Sequence, residues 1–156
     1  GLLHARKVLP PWEARFAGSG PLLPQLLKKA EELGILGYLS FLGWQESNKV
    51  LPQCDVLVVP STEREASSGA IREGWVVGLP VVCSDLPGNM ELVKDGENGL
   101  AFTNLSAESL AGQLLKILRE PETTARLTEG GRRSLEPFLV NTMVRKYTEL
   151  YAKLLA

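Results

Sequence analysis

With 156 residues, 44% of them hydrophobic and 22% charged, the chain has the make-up of a globular domain with a core of its own. Seventeen Lys and Arg against 18 Asp and Glu leave a net charge of −1, which gives no general pull toward nucleic acid or an anionic membrane. One histidine, His4, and two cysteines are too few for an ordinary Cys/His zinc site. No apolar run nears the ~18 residues of a membrane span, and the start does not read as a signal peptide.

In chain order, Leu2–Leu9 reads as a helix stopped by Pro10-Pro11, with His4 as a partly exposed helix residue. A run at Ala14–Ala17 follows and ends at Gly18-Ser19-Gly20-Pro21. That turn lacks the third glycine of a dinucleotide fingerprint and reads as a strand-to-helix turn with Pro21 at the first helical position. Leu22, Leu23, Leu26, Leu27, Ala30 and Leu33 then recur at helical spacing until Gly34. Further strands are expected at Tyr38–Leu42, Asp55–Val59, Leu79–Cys83 and Gly99–Phe102. Ser106 opens a helix that Pro121 ends, a shorter one spans Thr123–Gly130, and a final amphipathic helix starts near Asn141.

Short unbroken Val/Leu runs bounded by Gly, Pro, Ser and Asp are the mark of parallel strands covered on both faces. Their alternation with helices predicts an α/β fold built on a doubly wound parallel sheet of Rossmann-like topology. Residues 1–156 read as a single domain whose residues 135–156 are a terminal helical segment. Such a sheet normally begins with a strand that becomes central, and nothing before Leu2 supplies it. The chain is therefore expected to be a fragment, or to have the place filled from elsewhere, for instance by strand exchange in a homo-oligomer. Cys54 and Cys83 are placed too far apart along neighbouring strands to bridge, so both are expected as reduced core thiols of a cytoplasmic protein. Of the tryptophans, Trp12 and Trp75 are expected to pack in the interior, whereas Trp44 is a candidate to stack on a base.

The stretch Pro60–Gly99 carries the chemistry. A strand ending at Val59 delivers a loop to the C-terminal edge of the sheet, where open α/β folds bind ligands. Ser67 or Ser68 is placed to cap a helix running through Ala70, Ile71 and Trp75. The free N–H groups of its first turn, with Gly69 allowing close approach, suit a pyrophosphate. Glu73 stands about five residues into that helix, ~7.5 Å along the axis, where a carboxylate can accept two ribose hydroxyls. Glu65, in the loop before, is within reach of a sugar. The Glu-X7-Glu spacing is weak by itself, because all but three of the 18 acidic residues are Glu. Glu91, after Gly88, reads equally as a cleft residue or as a carboxylate at a helix start.

The order of the parts is far more specific. Gly18-Ser19-Gly20-Pro21, Phe41-Leu42-Gly43, Asp55-Val56 with Pro60-Ser61, the Glu65/Glu73 pair, Gly78-Leu79-Pro80-Val81-Val82, Gly88 with Glu91, and Asp95-Gly96 with Asn98-Gly99 follow one another at compatible spacing. In this the chain, from about Phe16 to Phe102, resembles the C-terminal, donor-binding domain of retaining GT-B glycosyltransferases of the family 4, or group 1, type. The resemblance implies a sugar moved from a nucleoside diphosphate sugar to an acceptor hydroxyl, with no metal or other cofactor. It implies that Glu65, as the catalytic position, contacts the transferred sugar and that Glu73 holds the ribose. It further implies that Ser67, Ser68, Gly69 and Ala70 meet the pyrophosphate or sugar, and that Trp44 lies near the base. Gly18, Gly20 and Glu91 border the same cleft in this reading.

Two departures accompany it. Where the family has a bulky apolar residue and then Gly after the first Glu, this chain has Ser67 and Ser68, with Gly69 one place later. The family's diphosphate-clamping Arg and Lys, and the N-terminal acceptor domain with its common catalytic His, have no counterpart; Arg6 and Lys7 do not replace them. The isolated chain is thus expected not to turn over. The resemblance places the full enzyme in the cytoplasm or at the inner membrane face. The competing expectations are a stand-alone, inactive nucleotide-binding module, and a related sugar-nucleotide epimerase.

Overall fold

The structure is a computed structural model that describes residues 11–155. The expectations at Leu2–Leu9, His4, Arg6 and Lys7 lie outside the described residues. Contacts gather into two compact units, Gly1–Gln53 and Cys54–Ala156.

In the first unit, β1 (Ala14–Ala17) leads through a turn to α1 (Leu23–Glu32), a 3-10 turn at Leu36–Tyr38, β2 (Leu39–Gly43), α2 (Ser47–Val50) and a second 3-10 turn at Leu51–Gln53. β1 and β2 pair in parallel, Ala14 beside Leu39 and Phe16 beside Phe41, with a register shift before Ala17 meets Gly43. The Phe16 and Phe41 rings stack at 4.9 Å, and Trp12 stacks on Tyr38 at 5.1 Å. Trp12 is thus a packing residue, as expected. Pro21 is not the first helical residue: it lies in the turn before the helix, and Pro24 takes the helix-start position. Proline's fixed φ and missing N–H suit either place, so the sequence offered two equivalent starts. Gly34, at φ +64°, ends α1 as predicted.

The second unit runs β3 (Leu57–Val59), α3 (Gly69–Val76), β4 (Val81–Ser84), α4 (Pro87–Met90), β5 (Leu100–Phe102), α5 (Ala107–Arg119), α6 (Pro121–Arg133), a 3-10 turn at Glu136–Phe138 and α7 (Val140–Leu155). Its three strands form a parallel sheet in the order β3-β4-β5, with Val59 beside Cys83 and Ser84 beside Phe102. All four residues of β4 are buried. The pleat sends Val81 and Cys83 to one face, packed with Val59, Ile71, Trp75 and Val93. Val82 goes to the other, with Leu100, Phe102, Ile117 and Leu127. Helices on both faces of a parallel sheet are what the unbroken apolar runs predicted. Each such buried side chain contributes roughly 1.5–3 kcal/mol.

Local signals account for the helix ends. Ser106 caps α5, its side chain accepting the Ser109 N–H at 3.1 Å. Pro121 stops α5 and at once starts α6, which runs to Arg133, beyond the Thr123–Gly130 expected. The extension is allowed by Gly130 and Gly131: a Cβ on the first would lie 2.0 Å from the Glu97 carbonyl oxygen, and on the second 2.3 Å from the Trp75 ring. Trp75 is 1% exposed and donates its indole N–H to the Asn98 carbonyl at 3.0 Å, so it packs in the core as predicted. Neither cysteine is in a disulfide; Cys83 is buried as expected, whereas Cys54 is only partly buried, because it lies before β3 and not within it. Burial, with a smaller effect of Asp95 and Asp85, pushes the Cys83 thiol up to about 12.

Candidate functional site: the loop after the third strand

Pro60 has no N–H and ends β3, releasing the chain into the 60–68 loop. Neighbouring elements then pin that loop. The Ser84 hydroxyl, at the end of β4, donates to the Ser61 carbonyl at 2.7 Å. Asn89 of α4 orients that serine, its amide donating to the Ser84 carbonyl at 3.0 Å and to Ser84 Oγ at 3.1 Å. Asn104 reaches the Thr62 carbonyl at 3.0 Å, while its own N–H donates to Asp85 Oδ1 at 2.8 Å. Gly88 lies so close beneath the loop that a Cβ there would meet the Glu65 carbonyl oxygen at 2.0 Å. Between these anchors Arg64 takes a left-handed φ of +52°, a conformation that costs a non-glycine residue roughly 1 kcal/mol and is found at over-determined sites.

The loop presents Glu65 half-buried, with its carboxylate accepting the Ser61 hydroxyl at 2.9 Å. It ends at Ser68, the N-cap of α3, whose backbone is extended (φ −66°, ψ 117°) and whose buried side chain makes no capping bond. The first-turn N–H groups of α3 are therefore unclaimed by any described side chain, and Gly69 and Ala70 stand exposed above them. Of the two serines that could cap, Ser68 is the cap and Ser67 is exposed, its Oγ accepting an Arg72 N–H at 2.9 Å. Glu73 is on the solvent face of α3, opposite Ile71 and Trp75, and makes no hydrogen bond or ion pair with another described side chain. The second unit thus brings Glu65, Ser67, Ser68, Gly69, Ala70 and Glu73 together on one loop and the helix it opens.

Glu91 is exposed and is the C-cap of α4, so it closes that turn; a carboxylate at a helix start it is not. The turn starts at Pro87, four residues before Glu91. In the first unit, Gly18 and Gly20 are exposed in the β1–α1 turn, where the Gly18 N–H donates to the Gly43 carbonyl at 2.6 Å. Trp44, just after β2, is 75% exposed. A cavity of about 310 Å³ opens in the same unit, lined by Glu13, Arg15, Leu42, Gln45, Lys49, Val50 and Gln53. Hydrogen bonds from Ser40 and Arg15 hold the Glu13 carboxyl below the usual range. None of the expected site residues lines that cavity.

The loop's anchors, Ser84, Asn89 and Asn104, were not legible as functional. Ser84 and Asn104 are single polar residues whose partner is a main-chain carbonyl brought close by folding, and Asn89 acts through Ser84. The Asp95–Gly99 motif proves to be structural: Asn98 Oδ1 accepts the Lys94 N–H at 2.7 Å, and its amide donates to the Leu92 carbonyl and to Ser134.

The comparisons agree with this architecture. A family model described as glycosyl transferases group 1 matches residues 2–134. The lipopolysaccharide core biosynthesis glycosyltransferase LpsE of Rhizobium meliloti is 33% identical over 99% of this chain and 45% of its own length. The crystal structure of Anabaena Alr3699/HepE in complex with UDP and glucose superposes with a TM-score of 0.85 at 25% identity, over 97% of this chain and 44% of that one. The same Anabaena protein in complex with UDP-glucose gives a TM-score of 0.84 at 26% identity. The pneumococcal O-GlcNAc transferase GtfA shares the fold, with a TM-score of 0.81 at 22% identity. The chain spans less than half the length of these relatives. With parallel sheets and a family match over most of its length, the chain belongs to the group 1 glycosyltransferases and has the Rossmann-like fold of the GT-B C-terminal domain.

Proposed function

We propose that the chain is the donor-binding part of a retaining glycosyltransferase, which moves a sugar from a nucleoside diphosphate sugar to an acceptor hydroxyl. The observation that carries this reading is the 60–73 segment: a loop pinned by Ser84, Asn104 and Gly88, a tethered Glu65, an open helix start at Gly69, and an unpartnered Glu73. In this arrangement the α3 amides take the diphosphate, Glu73 accepts the ribose hydroxyls, and Glu65 meets the transferred sugar. Solved complexes of the Anabaena relative with UDP and with UDP-glucose support a uridine nucleotide as the first candidate. Fixed amides in place of a metal would neutralise the leaving diphosphate.

The remainder of such an enzyme would supply the acceptor site, so the 156-residue chain alone binds the donor without turning it over. Calorimetric titration with UDP, GDP and ADP tests the reading. Binding of one of them, lost in Glu73→Ala, is the expected result; no binding of any at millimolar concentration overturns it. Detectable transfer by the chain alone would overturn the assignment of the acceptor site elsewhere.

A second reading, a nucleotide-binding module without catalysis, is favoured by Ser67 and Ser68 standing where the family has a bulky residue and glycine. It is separated from the first by whether the full-length protein transfers sugar. The edges of β1 and β3, each paired on one side only among the described residues, would accept a further strand. Self-association by strand exchange is the corresponding proposal, and a strictly monomeric mass by light scattering would refute it. Two cysteines outside any disulfide fit a cytoplasmic setting. Among the described residues no helix is long and apolar enough to cross a membrane.

A further inference from the structure

Among the described residues, Arg72 is the one charged side chain tied to the exposed Ser67 of the loop. It sits one turn into α3, half-buried, and donates from Nη1 to Ser67 Oγ at 2.9 Å. Its guanidinium lies over the Phe138 ring, 5.1 Å from the centroid, and it forms no ion pair with a described carboxylate. Two consequences follow from elementary chemistry. An aromatic face orients a cation without neutralising it, so the positive charge at this end of the loop stays uncompensated. A serine hydroxyl that accepts a hydrogen bond from a guanidinium, itself unable to accept, must send its own O–H elsewhere. Ser67 is exposed, and its O–H is not taken by a described acceptor, so it is available to a ligand. A cation and a committed donor therefore stand together beside the open helix start.

We propose that Arg72 is a positioning residue for the diphosphate of the donor: held by Phe138, it fixes Ser67 as an O–H donor to a phosphoryl oxygen and adds its charge there. The proposal rests on the donor-site reading above and deepens it by assigning a diphosphate-specific device to this chain's own residues. The segment that holds the guanidinium is itself anchored. Phe138 ends the 3-10 turn at Glu136–Phe138, and Glu136 accepts the buried Thr142 hydroxyl at 2.9 Å. The stacking partner is thus fixed to the start of α7.

The test is calorimetry of the chain with whichever of UDP, GDP and ADP binds tightest, and with the matching monophosphate. Arg72→Met and Ser67→Ala are each expected to weaken diphosphate binding about tenfold, with the double variant no weaker than about the worse single one. Monophosphate binding should fall by less in each. Arg72→Lys should recover part of the loss, and Phe138→Leu should cost a few-fold while Phe138→Tyr costs nothing measurable. Thermal melting of each variant separates lost folding from lost positioning. Diphosphate binding unchanged in a folded Arg72→Met, losses that multiply fully in the double variant, or an equal loss for mono- and diphosphate overturns this proposal alone. Failure of the parent chain to bind any of the three nucleotides overturns the donor-site reading and this one with it.

Discussion

β1 and β4 are both four-residue parallel strands, Ala-Arg-Phe-Ala and Val-Val-Cys-Ser, yet the structure treats them oppositely. Every residue of β4 is buried, between a core that holds Trp75 and another that holds Leu127. In β1 three of four residues are exposed, and Phe16 keeps 43% of its surface open while stacking on Phe41. The difference teaches that a run of Val, Leu, Phe and Ala reports the capacity to be covered. Whether it is covered depends on what packs against it, and that is a property of tertiary structure. Among the described residues, stability is concentrated in the sheet that carries the candidate site.

Four measurements would break or sharpen that contrast. Trp75→Ala should have the largest effect, a loss of about 3–5 kcal/mol in denaturant unfolding, because it empties the space under α6 and frees the Asn98 carbonyl. A smaller loss would mean that the second sheet is less tightly packed than its burial suggests. Ser84→Ala should cost about 1–3 kcal/mol by leaving the Ser61 carbonyl without its donor, and should weaken nucleotide binding as the loop loosens. Stability loss with unaltered binding would show that the pin does not serve the site. Ser106→Ala removes the α5 cap and should cost about 1 kcal/mol. Phe16→Ala in β1 should be the mildest, under about 1 kcal/mol. A loss as large as that of Trp75→Ala would erase the contrast altogether.

Cys83 adds a pH test of the buried strand. Its folded thiol is pushed from the usual 9.0 to about 12 by burial. The unfolded chain releases that proton first, so the contribution is complete below pH 9.0 and is lost as pH rises toward about 12. Urea midpoints of the parent should therefore fall across that window more steeply than those of Cys83→Ala. Parallel slopes would contradict the burial of the thiol.

Much of this architecture was legible in the chain. The α1 stop at Gly34 and the Ser106 cap depend on neighbours a few residues away, and both are found where the sequence places them, as is the strand at Ala14–Ala17. The misplacements share a cause. Pro21 and Pro24 both suit a helix start, and only packing chooses between them. Glu91 closes a turn because Pro87 opened it early. The candidate site was visible through Glu65, Glu73 and the Ser-Ser-Gly start of α3. Its supports were not, since Ser84 and Asn104 act on carbonyls 23 and 42 residues away in sequence. Arg72 was hidden for the same reason: the residue it stacks on belongs to a turn far along the chain.

The paired glycines of α6 have a consequence for how this protein can vary. At 130 and 131 a single methyl group would collide with a main-chain carbonyl and with an indole ring. In a saturation library selected for folding, these two columns should stand nearly empty, even though they sit inside a helix, where alanine is ordinarily the favoured choice. The same helix would tolerate wide diversity at neighbouring exposed positions such as 129, 132 and 133. An engineer rebuilding this scaffold should therefore leave that pair untouched and randomise around it.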